Sequence, residues 1–318
     1  TRSRVIDRHA AARGFLALRD DVAAALADGA PVVALESTIL AHGMPFPANL
    51  ETAREVEALV RAGGAVPATI AVLNGRIRIG LHADELEILA RTRNAMKLSR
   101  ADLAFAVATG QTGATTVAAT MICAALAGIR VFATGGIGGA HRGAETSFDI
   151  SADLDELARS PVTVVSAGAK AILDLPKTLE ILETRGVPVI GFGTDTFPAF
   201  WSRTSGLPAP LRLDTPEAVA GLMRVRAALG LEGGILVANP LPASQEIPFA
   251  EIAPAVAAAL AAAAGAGIVG KAVTPFLLAQ IERATAGRSL SVNQAIIRNN
   301  AALAARLALA DAAERRGG

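Results

Sequence analysis

Short, continuous apolar runs punctuate this chain at regular intervals. They are "PVVALESTIL" (31–40), "ATIAVLNGRIRIG" (68–80), "IRVFATGG" (129–136), "VTVVSAG" (162–168), "VPVIGFG" (187–193) and "GGILVAN" (233–239). Runs of this length that do not alternate with polar residues predict strands buried on both faces. Between most of them lie segments of helical periodicity, such as "NLETAREVEALVRAG" (49–63), "TTVAATMICAALAG" (115–128) and "KTLEILETRG" (177–186). Strands alternating with helices predict an α/β protein, a three-layer α/β/α arrangement around a central, largely parallel sheet. One run departs from the rule. Asn74-Gly75 divides "ATIAVLNGRIRIG" into two apolar halves and predicts a hairpin, so the sheet is expected to be mixed.

No internal repeat and no low-complexity linker interrupts the pattern, so residues 1–318 are expected to form a single domain. Residues 1–20 are expected to be an N-terminal arm or helix, and the Pro-rich 197–217 a surface loop or lid. The uncharged stretch "IAPAVAAALAAAAGAGIVG" (252–270) approaches the length of a membrane span. It is mostly alanine and glycine, which insert weakly, so an alanine-rich helix packed on the core is the expectation and no membrane contact is.

Composition narrows the functional classes. Of the 318 residues 52% are hydrophobic, enough for a large core, and 30 basic residues balance 29 acidic ones. Such a balance offers nucleic acid or an anionic membrane no attracting field. The single cysteine, Cys123, excludes an internal disulfide and a multi-cysteine metal site. With no apolar signal region in "TRSRVIDRHAARG", the expected location is cytoplasmic.

In sheets of this class ligands bind beyond the carboxyl ends of the strands, so the residues just after each run are candidates. Glu36 follows the apolar "PVVAL" that opens the first run, a glycine-rich "TGGIGGAHRG" the "IRVFA" that opens the third, and Lys170 comes after the fourth. The glycine segment is not a dinucleotide fingerprint, because the position of its third glycine is His141 and no helical pattern opens there. "QTGATTVAATM" (111–121) opens a helix behind glycine and threonines, a combination suited to cradling an anion or simply to capping the helix. Asp149, Asp153 and Asp155 come after the glycine segment; the latter two suit the first turn of a helix, and Asp149 stands before it. No HxH or HExxH spacing occurs, which argues against zinc. Lysine is rare, with only Lys97, Lys170, Lys177 and Lys271, and base composition accounts for most of that bias. An amine at a strand end is nonetheless a candidate nucleophile, since arginine cannot form an imine. Lys177 reads as a solvated first-turn residue.

"ALESTILAHGMPFPANLETA", "PATIAVLNGRIRIGL", "KLSRADLA", "GATTVAATM", "VFATGGIGGAHRGAETSFDISADL", "VVSAGAKAILDLPKTLEILETRGVPVIGFGTDTFPAF" and "GKAVTPFLLAQIERATAGRSLSVNQAIIRNNAALAA" together resemble the pseudouridine-5′-phosphate glycosidase (indigoidine synthase A-like) family, in order from about residue 30 to about residue 308. The resemblance implies reversible cleavage of the carbon–carbon glycosidic bond of pseudouridine 5′-phosphate to uracil and ribose 5-phosphate, a lyase reaction running through a covalent lysine imine. It implies a homotrimer and one divalent ion per subunit, usually Mn2+. Position by position, it implies Lys170 as nucleophile, Glu36 as proton donor and Asp149 as metal ligand. Lys97, Val117 and the run Ser151, Ala152 and Asp153 match substrate contacts, and His141 and Asn293 are expected to face the substrate as well. Lys271 receives no role.

Two other readings use the same residues. A Schiff-base sugar-phosphate aldolase would need the amine and the anion site but would release no uracil, and it usually occupies an eightfold barrel, for which the chain has too few strand–helix pairs. A non-catalytic sugar-phosphate-binding protein would need the glycine segment and Lys97 but not Lys170.

Overall fold

In the computed structural model, residue 12 and residues 14–268 and 270–317 are described. Among the described residues eleven strands form one sheet: β1 (Leu16–Leu18), β2 (Val32–Leu35), β3 (Val66–Leu73), β4 (Arg76–Ile79), β5 (Met96–Leu98), β6 (Gly113–Thr115), β7 (Val131–Ala133), β8 (Thr163–Ser166), β9 (Val189–Phe192), β10 (Leu211–Leu213) and β11 (Ile235–Ala238). The main path runs β1-β4-β3-β2-β7-β8-β11-β9-β10, open at both ends, so the sheet is no barrel. Off this path, β6 pairs with β3 and β5 with β6. Every pairing is parallel except β3 with β4 and β3 with β6. The β3–β4 hairpin turns through Asn74 (φ 48°) and Gly75 (φ 76°), the left-handed pair that an Asn-Gly turn supplies.

The continuous apolar runs are explained by helices on both faces. Val33 and Leu35 of β2, with Val131, Ala133, Val165 and Val237, pack under helices 48–62, 216–228 and 288–317. The alternate residues Val32 and Ala34, with Phe132, Val164 and Leu236, pack on the other side with helices that include 117–127 and 249–265. This period-two division leaves β2, β7, β8 and β11 no solvent-facing side, whereas β4 and β10 expose Arg76 and Arg212. The alanine-rich helix Phe249–Gly265 buries Ile252, Val256, Ala259 and Ala263, a stripe at helical spacing, against the core. No helix among the described residues is long and apolar enough to cross a membrane.

Three boundaries differ from the sequence expectation. The first apolar run is strand only to Leu35; from Ile39 to Gly43 the chain forms a wide, π-helical turn. Within the expected N-terminal arm, Leu16–Leu18 is a strand paired to β4, while residues 1–11 and 13 lie outside the described ones. The run 197–217 is not simply a surface loop. Phe197, Ala199, Phe200 and Trp201 are buried, because aromatic groups of this size fill the space beside the glycine-rich segment, and only the stretch beyond Ser202 turns toward solvent.

Candidate active site

The carboxyl ends of β2, β7 and β8 lie side by side, and strand register sets which residues meet beyond them. Leu35 pairs with Ala133 and Ala133 with Val165, so the next residues, Glu36, Thr134 and Ser166, form one row at the edge of the sheet. Above this row opens a cavity of about 370 Å³. All ten residues expected to serve as nucleophile, proton donor, metal ligand and substrate contacts line it.

Glu36 is half-buried, and each of its carboxylate oxygens is held. The Thr134 hydroxyl donates to Oε1, and the Thr38 hydroxyl donates to Oε2 at 2.5 Å. Thr134 is fixed in turn, since its carbonyl accepts from Nδ2 of the fully buried Asn300 at 2.8 Å. A carboxylate gripped at both ends has one orientation, which is what directed proton transfer requires.

Lys170 reaches the same cavity by a sharp turn out of β8. Gly168 has φ of +77°, and a Cβ there would lie 2.4 Å from the carbonyl oxygen of Pro198, so the position demands glycine for both conformation and space. The Lys170 backbone N–H then donates to the Ile137 carbonyl at 3.1 Å, tying the lysine to the glycine-rich segment. That segment is glycine-rich because other residues pack on it. A Cβ on Gly138 would meet the Ser151 hydroxyl at 2.3 Å and an Asp153 oxygen at 2.8 Å.

Asp153 is the clasp of the site. Its Oδ2 accepts from the Gly138 N–H at 2.8 Å, and its Oδ1 from the Ala118 N–H at 2.9 Å in the first turn of helix 117–127. The side chain expected to contact substrate is therefore engaged, at 5% exposure, in joining the glycine segment to the helix that starts at Val117. Ser151, not an aspartate, caps helix 152–157, accepting from the Asp153 N–H at 3.2 Å, while Asp155 pairs with Arg185 on the surface. Lys97 enters from β5, the strand beside β6, and the amino end of helix 117–127 comes directly after β6.

His141 and Asp149 are brought together by an antiparallel bridge between Ala140 and Ile150, with the His141 N–H on the Asp149 carbonyl at 2.9 Å. Burial pushes the His141 imidazole below the usual histidine range; Asp149 opposes this, and the ammonium groups of Lys170 and Lys97 add to it. The two lysines therefore act on the same ring from one cavity. Asn293 is oriented by its neighbour. The indole N–H of Trp201, which only donates, lies 2.7 Å from Oδ1, and the Asn293 NH2 group is left as the polar end available to a ligand.

Among the described residues no group of three or more His, Cys, Asp or Glu is placed to hold a metal ion. With both oxygens of Glu36 held by threonines and those of Asp153 by backbone amides, Asp149 is the remaining carboxylate on the cavity, a donor set that suits only a hard divalent ion keeping most of its waters.

Thr38, Thr134, Asn300 and Phe200 are not legible as site residues in the sequence. Thr38 stands two residues from Glu36, whereas the others reach the site only through sheet register and packing.

The indigoidine synthase A like protein family matches this chain over residues 21–310. The chain belongs to that family. Among its relatives, a pseudouridine-5′-phosphate glycosidase of Methylobacterium nodulans is 69% identical over 290 residues, 91% of this chain and 86% of the relative. Another, from Paracoccus denitrificans, is 67% identical over 298 residues, 93% of this chain and 98% of the relative. Of solved structures, the prealnumycin C-glycosynthase AlnA in complex with ribulose 5-phosphate superposes with a TM-score of 0.89 at 38% identity, covering 96% of this chain and 99% of that one. An indigoidine synthase A-like protein from Thermotoga maritima superposes at 0.84 with 36% identity, covering 93% and 96%. The family's open α/β/α sheet thus occurs in proteins named as a glycosidase and as a C-glycosynthase.

Proposed function

We propose that this protein is a pseudouridine-5′-phosphate glycosidase, converting pseudouridine 5′-phosphate and water reversibly to uracil and ribose 5-phosphate. The observation that carries the reading is the convergence of Lys170 and the doubly held Glu36 on one cavity. Relatives at 67–69% identity bear that name, and a neighbour of the same fold holds a pentulose phosphate.

The residue types suit the chemistry. A carbon-linked uracil is a poor leaving group, and a pair of carboxylates alone gives it no electron source. The Lys170 amine attacks C1′ of the ribose; the C1′–O4′ bond breaks, and Glu36 delivers a proton to O4′, opening the ring. The nitrogen lone pair now on C1′ expels uracil as C5 takes up a proton, leaving an iminium on Lys170. Water adds to that iminium, and collapse returns ribose 5-phosphate and the free amine, with Glu36 serving again as acid and base.

Lys97 acts as a point charge on the phosphate beside the amide of Val117 and the run Ser151 to Asp153. His141 and the NH2 of Asn293 face the base and sugar. Asp149 would hold a divalent ion, Mn2+ by resemblance, largely through its waters; such an ion supplies a localised positive charge to polarise an oxygen or water. A homotrimer and a cytoplasmic location belong to the same reading.

Incubation with pseudouridine 5′-phosphate and Mn2+ tests the proposal: chromatography should show uracil and ribose 5-phosphate in equal amounts. Cleavage of the sugar chain without uracil would replace the reading with the aldolase one, and no turnover would leave the site as a binding pocket.

A further inference from the structure

Two residues of the cavity wall, His42 and Thr116, carry a buried polar atom with no hydrogen-bond partner among the described residues, and only the histidine's is a fixed acceptor. His42 sits on the π-helical turn Ile39–Gly43, six residues beyond Glu36 in sequence, and its ring lines the cavity. Its Nε2 lies 3.0 Å from the carbonyl oxygen of Ala95, two residues before Lys97. A carbonyl can only accept, so Nε2 carries the hydrogen, and in the neutral ring Nδ1 is then a bare acceptor. Burial favours that neutral form, the Ala95 bond opposes it, and the Lys97 ammonium adds to it. Nδ1 is itself shielded from solvent, with no hydrogen-bond partner among the described residues. A buried acceptor without a donor is unfavourable and rare in a folded chain, and one in a cavity wall is satisfied when a ligand brings the donor.

A nucleoside monophosphate offers few donors: the ribose hydroxyls and the N–H groups of the base. His42 is hydrogen-bonded two residues from Lys97 and feels its charge, which sets it at the phosphate end of the cavity, where the sugar lies. We infer that His42 reads the sugar: Nδ1 accepts a hydrogen bond from a 2′- or 3′-hydroxyl of the ribosyl phosphate, so the site selects ribosyl over the corresponding deoxyribosyl substrates. The inference rests on the glycosidase reading for the identity of the ligand. The bond to Ala95 is what makes the selection sharp, because it stops the ring from turning to present a donor instead.

The test is calorimetric binding of ribose 5-phosphate, 2-deoxyribose 5-phosphate and 3-deoxyribose 5-phosphate to the full chain with Mn2+. The wild type is expected to bind one deoxy analogue about tenfold more weakly than ribose 5-phosphate. His42→Gln keeps an N–H near Nε2 but removes the acceptor at Nδ1, and the ratio should fall to within about twofold. His42→Asn, whose amide oxygen falls near Nδ1, should retain much of the discrimination. Equal binding of all three sugars by the wild type overturns the inference without reference to any variant. Discrimination that persists unchanged in a folded His42→Gln also overturns it, while leaving the glycosidase reading in place. Failure of the wild type to bind ribose 5-phosphate at all would overturn both.

Discussion

The hydroxyl of Thr134 donates to Oε1 of Glu36, although the two residues are 98 positions apart. They meet because Leu35 pairs with Ala133 across β2 and β7, so the residue after each strand faces its counterpart. Thr38 holds the other oxygen. Replacing either threonine with valine keeps the shape and deletes one charge-assisted hydrogen bond, worth about 1.5–3 kcal/mol. Thr134→Val and Thr38→Val should each lower kcat for uracil release about tenfold or more while KM moves less than about twofold. A rise in KM at constant kcat would show that the threonines serve substrate binding and not the orientation of Glu36.

Asp153 joins the glycine-rich segment to the start of helix 117–127 through two backbone amides. Asp153→Asn turns one acceptor into a donor that meets an N–H, leaving buried groups unpaired at a cost of about 1–3 kcal/mol. Urea unfolding should register that loss in the midpoint without a change in slope. An unchanged midpoint would mean that the clasp is not formed in solution.

The range of each interaction decides how much of this is legible in the sequence. Glu36 and Lys170 stand out because each comes directly after a strand-like run, a local relationship. The strands β1, β5, β6 and β10 are only three residues long and, unlike the equally short β7, are not marked by one of the continuous apolar runs, so the pattern does not reveal them. Thr134 and Asn300 depend on register and on the long C-terminal helix, which no local pattern encodes. The prolines of 197–217 suggest surface, yet Phe197, Phe200 and Trp201 are the contrary signal, since large aromatic groups rarely face water together.

Gly168 turns β8 toward Lys170 in a conformation that side chains rarely adopt. Gly168→Ala should cost about 1–3 kcal/mol in backbone strain, with the clash against the Pro198 carbonyl adding to it. The displacement should reach the nucleophile, so imine formation should slow more than binding of ribose 5-phosphate weakens. An alanine variant with native stability and rate would show that the turn relaxes without moving Lys170.

His42 and His141 give stability a defined pH dependence. Burial is the main cause that lowers both imidazoles below the usual range. A folded-state pKa below the unfolded value of about 6.5 means that the unfolded chain takes up protons first. Stability is therefore fully present above that value and declines as pH falls through it toward the lower folded pKa, by at most about 1.4 kcal/mol per pH unit for each histidine. Urea unfolding at pH 7.5 and pH 5 should show the decline, and His42→Asn or His141→Asn should reduce it. A decline identical in both variants would assign it to other groups.

The central claim is that Lys170 forms an imine with the sugar, and borohydride reduction tests it directly. Incubation with ribose 5-phosphate and borohydride, followed by mass spectrometry of the intact protein and peptide mapping, should show one reduced sugar-phosphate adduct on Lys170 and none in Lys170→Arg. An unmodified Lys170 in protein shown to bind ribose 5-phosphate, or an adduct confined to another lysine, would contradict the mechanism.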